Sequence, residues 1–222
     1  MKEQGRFYKP EEIKALYDEI VPVYQTAFAG EPWFEVTKCA NKSSVQRCVG
    51  GFSSLSIGAT CETCGSCPLR SAYEKEELVD KFELISRTRP TAWYMEKGEL
   101  GATLFALAWI ETPSKIAEER YPDVPEMASW MAEKLGTAPI MWLDEVFANR
   151  TKKPKGNLQN FNEMCNGLAQ QLQVDIIAYR TIAFQMIAAP VRDFGKQTTV
   201  YKRNAEVPDR RDFVVINLGG QT

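Results

Sequence analysis

Chemistry in this chain must be done without histidine, which the sequence lacks entirely. That removes Ser–His and Cys–His nucleophilic pairs and imidazole metal ligands. Proton transfer falls to Asp, Glu, Tyr, Cys, Lys or water. Two groups of residues have the types and spacing for a site. The first is the stretch LDEVFANRTKKPKGNLQNF at 143–161. Asp144 and Glu145 sit there in an apolar run, ahead of Arg150, Lys152, Lys153, Lys155, Gly156 and Asn157. The second is a run of five cysteines, Cys39, Cys48, Cys61, Cys64 and Cys67, spaced C-x8-C-x12-C-x2-C-x2-C.

The cationic loop has a physical use. A helix N-terminus exposes unpaired N–H groups and a partial positive charge. Glycine lets backbone approach an anion without an intervening Cβ. Gly156 followed by Asn157 as N-cap therefore builds an anion seat, with the lysines around it. A solvated lysine-rich surface loop is the competing reading. A Walker A loop is excluded, because KPKGNL lacks its glycine spacing and its Gly-Lys-Ser/Thr ending.

The cysteines fit a closed, all-thiolate zinc site of structural role. CETCG resembles a zinc knuckle, and Cys39 and Cys48 are candidates for the other pair of ligands. The fifth thiol, Cys67, is then either spare or a replacement for Cys61. An iron–sulfur cluster, disulfides and simple free thiols are the alternatives. Cys165, the sixth, falls on an inner helix stripe and reads as packing.

The elements that must hold these residues can be read from periodicity. Pro10 opens a helix carrying Ile13, Leu16, Tyr17, Ile20 and Tyr24, which Pro22 kinks or divides and Gly30 ends. Residues 36–70 form an irregular, cysteine-rich insertion. Ser71 to Glu74 has the pattern of a capping box for a helix over about 72–87. TAWYMEK and GATLFALAWIET form a hairpin. A helix opened by Pro125 and Glu126 closes at Gly136, and the strand APIMWLDEVFA follows. Beyond the basic loop, Leu158, Phe161, Met164, Leu168 and Leu172 make a helical stripe. VDIIAY is a strand, Thr181 to about Ala189 is a helix stopped by Pro190, and TTVYKR and DFVVINL are closing strands. This order predicts a mixed α/β sheet centred on a βαβ unit, in one domain over 1–222. On strand alternation, Glu145 shares a face with Met141, Leu143 and Phe147, and Asp144 with Trp142 and Val146.

Composition narrows the classes. The chain is 44% hydrophobic and 25% charged, with formal net charge −2, enough for a sizeable core and not the balance of a general nucleic-acid binder. The longest apolar run, LGATLFALAWI, is well short of the ~20 residues a membrane span needs. No signal core opens the sequence, so a cytoplasmic protein without membrane or nucleic-acid partners is expected. Oligomeric state is not readable.

LDEVFA followed after four residues by KPKGNL resembles the core motif of the GCN5-related N-acetyltransferases, the GNAT superfamily. That motif is a strand hDEhhV, then Arg/Gln-x-x-Gly-x-Gly/Ala at a helix start. Ala148 takes the strand-end position, Lys153 the Arg/Gln position, Gly156 the central glycine and Leu158 the last small residue. YQTAFAGEPWFE is similar to the first-helix region of such enzymes. The resemblance covers roughly 10–35 and 72–217. It implies an α/β fold with a mixed, mostly antiparallel central sheet flanked by helices. It implies acetyl transfer from acetyl-CoA to a primary amine of a small-molecule or protein acceptor. By the resemblance, Phe147 and Ala148 offer backbone to pantetheine. Lys153, Lys155, Gly156, Asn157 and Leu158 hold phosphate. Glu145, or else Asp144, acts as base. The segment between the first two helices borders the acceptor pocket, so the zinc-binding insertion would shape it. Lys153 and Leu158 depart from the motif. The tyrosine that many members carry in the last helix is missing from FQMIAAPVRDFG. A catalytically silent GNAT-like module, binding acyl-CoA or a protein, is the alternative. Nucleic-acid binding by the insertion is a weaker third, since basic and aromatic residues do not interleave there.

Overall fold

The computed structural model describes residues 5–41, 52–98, 101–148, 161–202, 206–208 and 211–219. The chain begins with β1 (Gly5–Tyr8), a short α1 (Pro10–Ile13) and α2 (Tyr17–Ala29). β2 (Thr37–Cys39) and β3 (Leu69–Ser71) pair as a small antiparallel ribbon in the insertion. Then come α3 (Lys75–Thr88), β4 (Thr91–Gly98), β5 (Gly101–Glu111), α4 (Pro113–Arg120), α5 (Glu126–Leu135) and β6 (Ile140–Ala148). The chain closes with α6 (Phe161–Leu172), β7 (Ile176–Thr181), α7 (Phe184–Phe194), β8 (Thr198–Tyr201) and β9 (Asp212–Asn217).

The main sheet has 7 strands in the order β1-β4-β5-β6-β7-β9-β8. Every pairing in it is antiparallel except β6–β7. It is therefore the mixed, mostly antiparallel α/β sheet expected. One core layer lies between the sheet and α1 to α5, with Tyr24, Phe82, Trp93, Phe105 and Trp142. The other lies under α6 and α7, with Met141, Leu143, Phe161, Leu168 and Tyr179. Gly167 of α6 lets Phe7 of β1 close on that helix, since a Cβ at 167 would overlap the Phe7 ring.

Several sequence expectations change. α2 runs through Pro22, and the break falls earlier, at the 3₁₀ turn Lys14–Leu16. Ser71 belongs to β3, opposite Thr37, so no capping box forms there and α3 starts at Lys75 behind Glu74. The reciprocal bond of a capping box occurs instead at Lys9, whose N–H donates to Glu12 Oε2 at 2.9 Å. α4 was not foreseen, although Pro113 sits at its first turn. Pro190 does not stop α7, which continues to Phe194 and ends at Gly195 with φ 53. Pro190 has no N–H for the carbonyl one turn back, that of Met186. The Tyr179 hydroxyl donates to that same carbonyl and restores the lost partner.

Two irregularities of β6 create the site. Leu107 of β5 pairs with Glu145, but Ala108 pairs with Leu143, so Asp144 has no partner on β5. This bulge shifts the alternation by one residue. Asp144 and Glu145 both turn to the α2–α5 face, with Trp142 before them and Phe147 after. The expected split is overturned: Glu145 does not share a face with Met141 and Leu143, which lie in the opposite core layer with Val146 beside them. The second irregularity is a short pairing with β7, over only Met141–Ile177 and Trp142–Ala178. Beyond it the two parallel strands part.

Candidate active site

A cavity of about 250 Å³ opens where β6 and β7 separate, lined by Asp144, Glu145, Tyr179, Arg180 and Thr181 among others. This is the carboxyl end of parallel strands, where α/β sheets favour ligands. Its far wall is aromatic. Tyr24 packs on Phe28 at 4.5 Å, on Tyr73 at 4.9 Å and on Phe147 at 5.2 Å between ring centroids. Phe147 in turn stacks on Phe105 at 4.8 Å. Truncating a ring buried this way costs about 3–5 kcal/mol. The cluster is a rigid frame.

Glu145 is buried in this frame and accepts two bonds at Oε1. The Tyr24 hydroxyl donates at 2.9 Å, and the Lys81 ammonium forms an ion pair. Burial pushes the Glu145 carboxyl above its ordinary pKa. Lys81 pulls it back and Asp144 adds to the rise. Burial alone would lower Lys81, but the carboxylates of Glu145 and Asp144 outweigh it and leave it raised. The pair is thus a carboxylate of enhanced basicity held beside a fixed cation. Burial and Glu145 also raise Tyr24, so its phenol stays a donor.

Asp144 has different partners. Its Oδ1 accepts from Arg120 Nη2 at 2.8 Å and from Trp142 Nε1 at 3.1 Å. Its Oδ2 is buried with no hydrogen-bond partner among the described residues. A buried carboxylate oxygen left this way is costly unless something enters to bond it. Phe147 and Ala148 continue the strand, their backbone paired to Phe105 and Leu104 on the β5 side.

Glu35 completes the acidic lining. It is buried and accepts a bond from the Tyr73 hydroxyl. Burial raises its pKa, against the pull of Tyr73 and Arg211. The folded state then holds the Glu35 proton more tightly than the unfolded chain. That stability is present at low pH. It is lost as pH climbs from the ordinary glutamate value of about 4.3 through the raised folded value. Glu35→Gln keeps an acceptor for Tyr73 and removes the buried charge. It should raise Tm at pH 7 by about 2–4 °C, the shift produced by ~1 kcal/mol in a chain of this size. Thermal melts at pH 7 and pH 4 check this, and the gain should vanish at pH 4.

The insertion meets the cavity at the foot of its ribbon. Glu35 lies two residues before β2 and Tyr73 two residues after β3. Up the ribbon, one ligand atom from each of Cys39, Cys61 and Cys64 lies within 4.8 Å of the others, with Cys39 Sγ and Cys64 Sγ 3.8 Å apart. Zinc–thiolate bonds of ~2.3 Å in a tetrahedron put sulfurs ~3.8 Å apart, so the spacing fits. Gly65, at φ 66, donates its N–H to the Cys61 carbonyl at 2.8 Å and closes the knuckle turn. The backbone N–H groups of Ser66 and Cys67 bring the Cys64 thiol down to about 6. Cys67 lies in the same small cluster, and Cys165 is buried in α6 far along the chain.

Other expected site residues, Lys153, Lys155, Gly156, Asn157 and Leu158, lie outside the described residues, as do Arg150, Lys152 and Cys48. The site also includes side chains that sequence reasoning did not assign to it: Tyr24, Glu35, Tyr73, Lys81, Arg120, Arg180 and Arg211. Lys81 carried a weak signal, lying next to Phe82 at the edge of the buried stripe that Leu78, Phe82 and Ile85 form on α3. Tyr179 lines the cavity, but its hydroxyl is committed to the Met186 carbonyl.

No protein-family model matches the sequence, and no curated protein matches it. Among solved structures, Drosophila melanogaster polyamine N-acetyltransferase aligns over 97% of this chain and 100% of its own, at 12% identity and TM-score 0.51. An agmatine N-acetyltransferase mutant in its apo form aligns over 96% and 99%, at 11% identity and TM-score 0.53. A mosquito arylalkylamine N-acetyltransferase, like 5b, aligns over 97% and 99%, at 8% identity and TM-score 0.51. At such identities the likeness is one of architecture: the chain has the GNAT fold of these N-acetyltransferases.

Proposed function

We propose that this protein is an N-acetyltransferase that moves an acetyl group from acetyl-CoA to a primary amine. The observation that carries this reading is the β6 bulge, which turns Asp144 and Glu145 together into the cavity where β6 and β7 part. Acetyl transfer needs a deprotonated amine next to the thioester carbonyl. The amine nitrogen attacks that carbon, the C–S bond breaks, and the thiolate leaves as CoA and takes up a proton. Glu145 accepts the proton the amine gives up, directly or through one water. Its raised pKa suits it to the task. Lys81 and Tyr24 hold the carboxylate in place by the two bonds to Oε1. Asp144 offers Oδ2 to the amine N–H.

The cosubstrate is proposed to lie with its pantetheine arm along the β7-facing edge of β6, at Phe147 and Ala148. Its phosphates would go to Lys153, Lys155, Gly156, Asn157 and Leu158. A thiolate is a tolerable leaving group, so protonation by solvent suffices where no tyrosine is placed as acid. Zinc is proposed as a structural ion, held by Cys39, Cys61 and Cys64 with Cys48 or Cys67 as fourth ligand. It would fix the insertion and do no chemistry.

Release of CoA thiol from acetyl-CoA in the presence of a panel of amines tests the reading. Amine-dependent release supports it. CoA binding without release with any amine would favour instead the silent acyl-CoA-binding module, to which the commitment of Tyr179 points.

A further inference from the structure

The two carboxylates of β6 are held in the same way. On each, one oxygen takes two donors and the other is left open. Glu145 Oε1 accepts from Tyr24 and from Lys81. Asp144 Oδ1 accepts from Arg120 and from Trp142. Neither Asp144 Oδ2 nor Glu145 Oε2 meets a donor among the described residues. The arrangement at Asp144 is unusual for an arginine partner. A guanidinium commonly forks onto both oxygens of a carboxylate. Arg120 instead gives Nη2 to Oδ1 alone, and Trp142 Nε1 comes to that same oxygen. Two donors on one oxygen stop the carboxylate from turning and keep Oδ2 out of the ion pair.

Arg120 is itself held in place. It is the last residue of α4, and its guanidinium lies 5.2 Å from the centre of the buried Trp109 ring. Arg89 lies 4.2 Å from the same ring and makes two bonds to Glu119, the neighbour of Arg120, at 2.8 and 3.1 Å. The end of α4 is thereby tied to the sheet on the side where Asp144 emerges. Trp109 also packs on Trp142, at 6.4 Å between ring centroids. Both donors to Oδ1 thus stand on one aromatic support. Arg120, Asp144 and Glu145 all line the cavity.

We infer, building on the acetyltransferase reading, that Arg120 is a positioning residue that sets specificity for the amine. By taking Oδ1 it holds Asp144 Oδ2 open as a second N–H acceptor beside Glu145. A neutral primary amine has one lone pair and two N–H groups. The lone pair attacks the thioester carbon, one N–H donates to Glu145, which receives that proton, and the other donates to Asp144 Oδ2. A secondary amine has a single N–H and puts carbon where Oδ2 requires a donor. Leaving a buried acceptor unpaired is the costly outcome, so the two classes are told apart.

Rates of CoA release from acetyl-CoA with matched amines test this. Butan-1-amine is paired with N-methylbutan-1-amine, and 2-phenylethan-1-amine with its N-methyl form. The wild-type kcat/KM should favour the primary amine of a pair by about tenfold or more, the worth of a hydrogen bond to a charged group. Arg120→Met should lower kcat/KM for the primary amine by about that factor and change the N-methyl amine little, so that the preference collapses. Arg120→Lys, which keeps a cation for Oδ1, should restore part of it. Asp144→Asn has the same size and serves where Arg120→Met does not fold. Its amide oxygen must meet the two donors, which turns the amide N–H groups to the acceptor, and the preference should collapse again. A role in folding alone would lower both rates and keep their ratio. A wild-type ratio near one, or a ratio that survives in the folded variants, would overturn the inference and leave the acetyltransferase reading intact. No CoA release with either pair, nor with any amine of the wider panel, would sink that reading and this inference together.

Discussion

Glu145→Gln should lower kcat for amine acetylation by about two to four orders of magnitude, the range of a positioned general base. Glutamine keeps the size of the side chain and an acceptor for the Tyr24 hydroxyl. It cannot take a proton. The wild-type kcat/KM should climb with pH through an apparent pKa above the ordinary carboxylate range, because burial raises Glu145 and the base form lies on the alkaline side. In Glu145→Gln that limb should disappear. The substitution leaves Lys81 without its nearest carboxylate. Breaking a buried pair costs up to about 3–5 kcal/mol, less here because the ammonium is partly exposed. Circular dichroism and CoA affinity therefore accompany the rates. A variant that is folded, binds CoA and keeps wild-type turnover would remove Glu145 from the mechanism.

Loss of the proposed zinc is the second large effect. The insertion's own apolar cluster consists of Cys39, Cys61 and Leu69, with Ala59, Cys64 and Cys67 around it. Its ribbon joins two strands of three residues each. That is too little buried area to order a segment of this length. Structural zinc supplies roughly 10–16 kcal/mol in small zinc domains. Chelation, or Cys39→Ser with Cys64→Ser, should release one zinc per chain and disorder the ribbon. Glu35 and Tyr73 stand at its foot, so KM for the amine should increase at least tenfold while CoA affinity stays. Elemental analysis and hydrogen exchange over 36–70 read the structural part, and steady-state kinetics read the rest. Unchanged exchange and unchanged KM with the metal stripped would contradict it.

Much of the fold was legible because its signals are local. The hairpin of β4 and β5, the stripe of α6 and the closing of α5 at Gly136 follow from periodicity and caps within each segment. The site was less legible because its decisive features are not local. The bulge at Asp144 exists only through the pairing of β6 with β5. Strict alternation within β6 therefore separated two carboxylates that the fold brings together. Pro190 reads as a helix stop until Tyr179, from another element, supplies a donor to Met186. Ser71 has the residue type of an N-cap, yet pairing with Thr37 draws it into the ribbon. Tyr24 fits a core stripe by spacing, and nothing in its segment reports that its hydroxyl meets Glu145 across 121 residues of chain.

The most direct test is calorimetric titration of CoA into the purified chain and into a variant with Lys153→Gln and Lys155→Gln. Acetyl transfer predicts one CoA per chain, competed by adenosine 3′,5′-bisphosphate, with affinity falling about tenfold or more when the two cations are removed. Absence of binding, or binding indifferent to those lysines and to the nucleotide competitor, would contradict it.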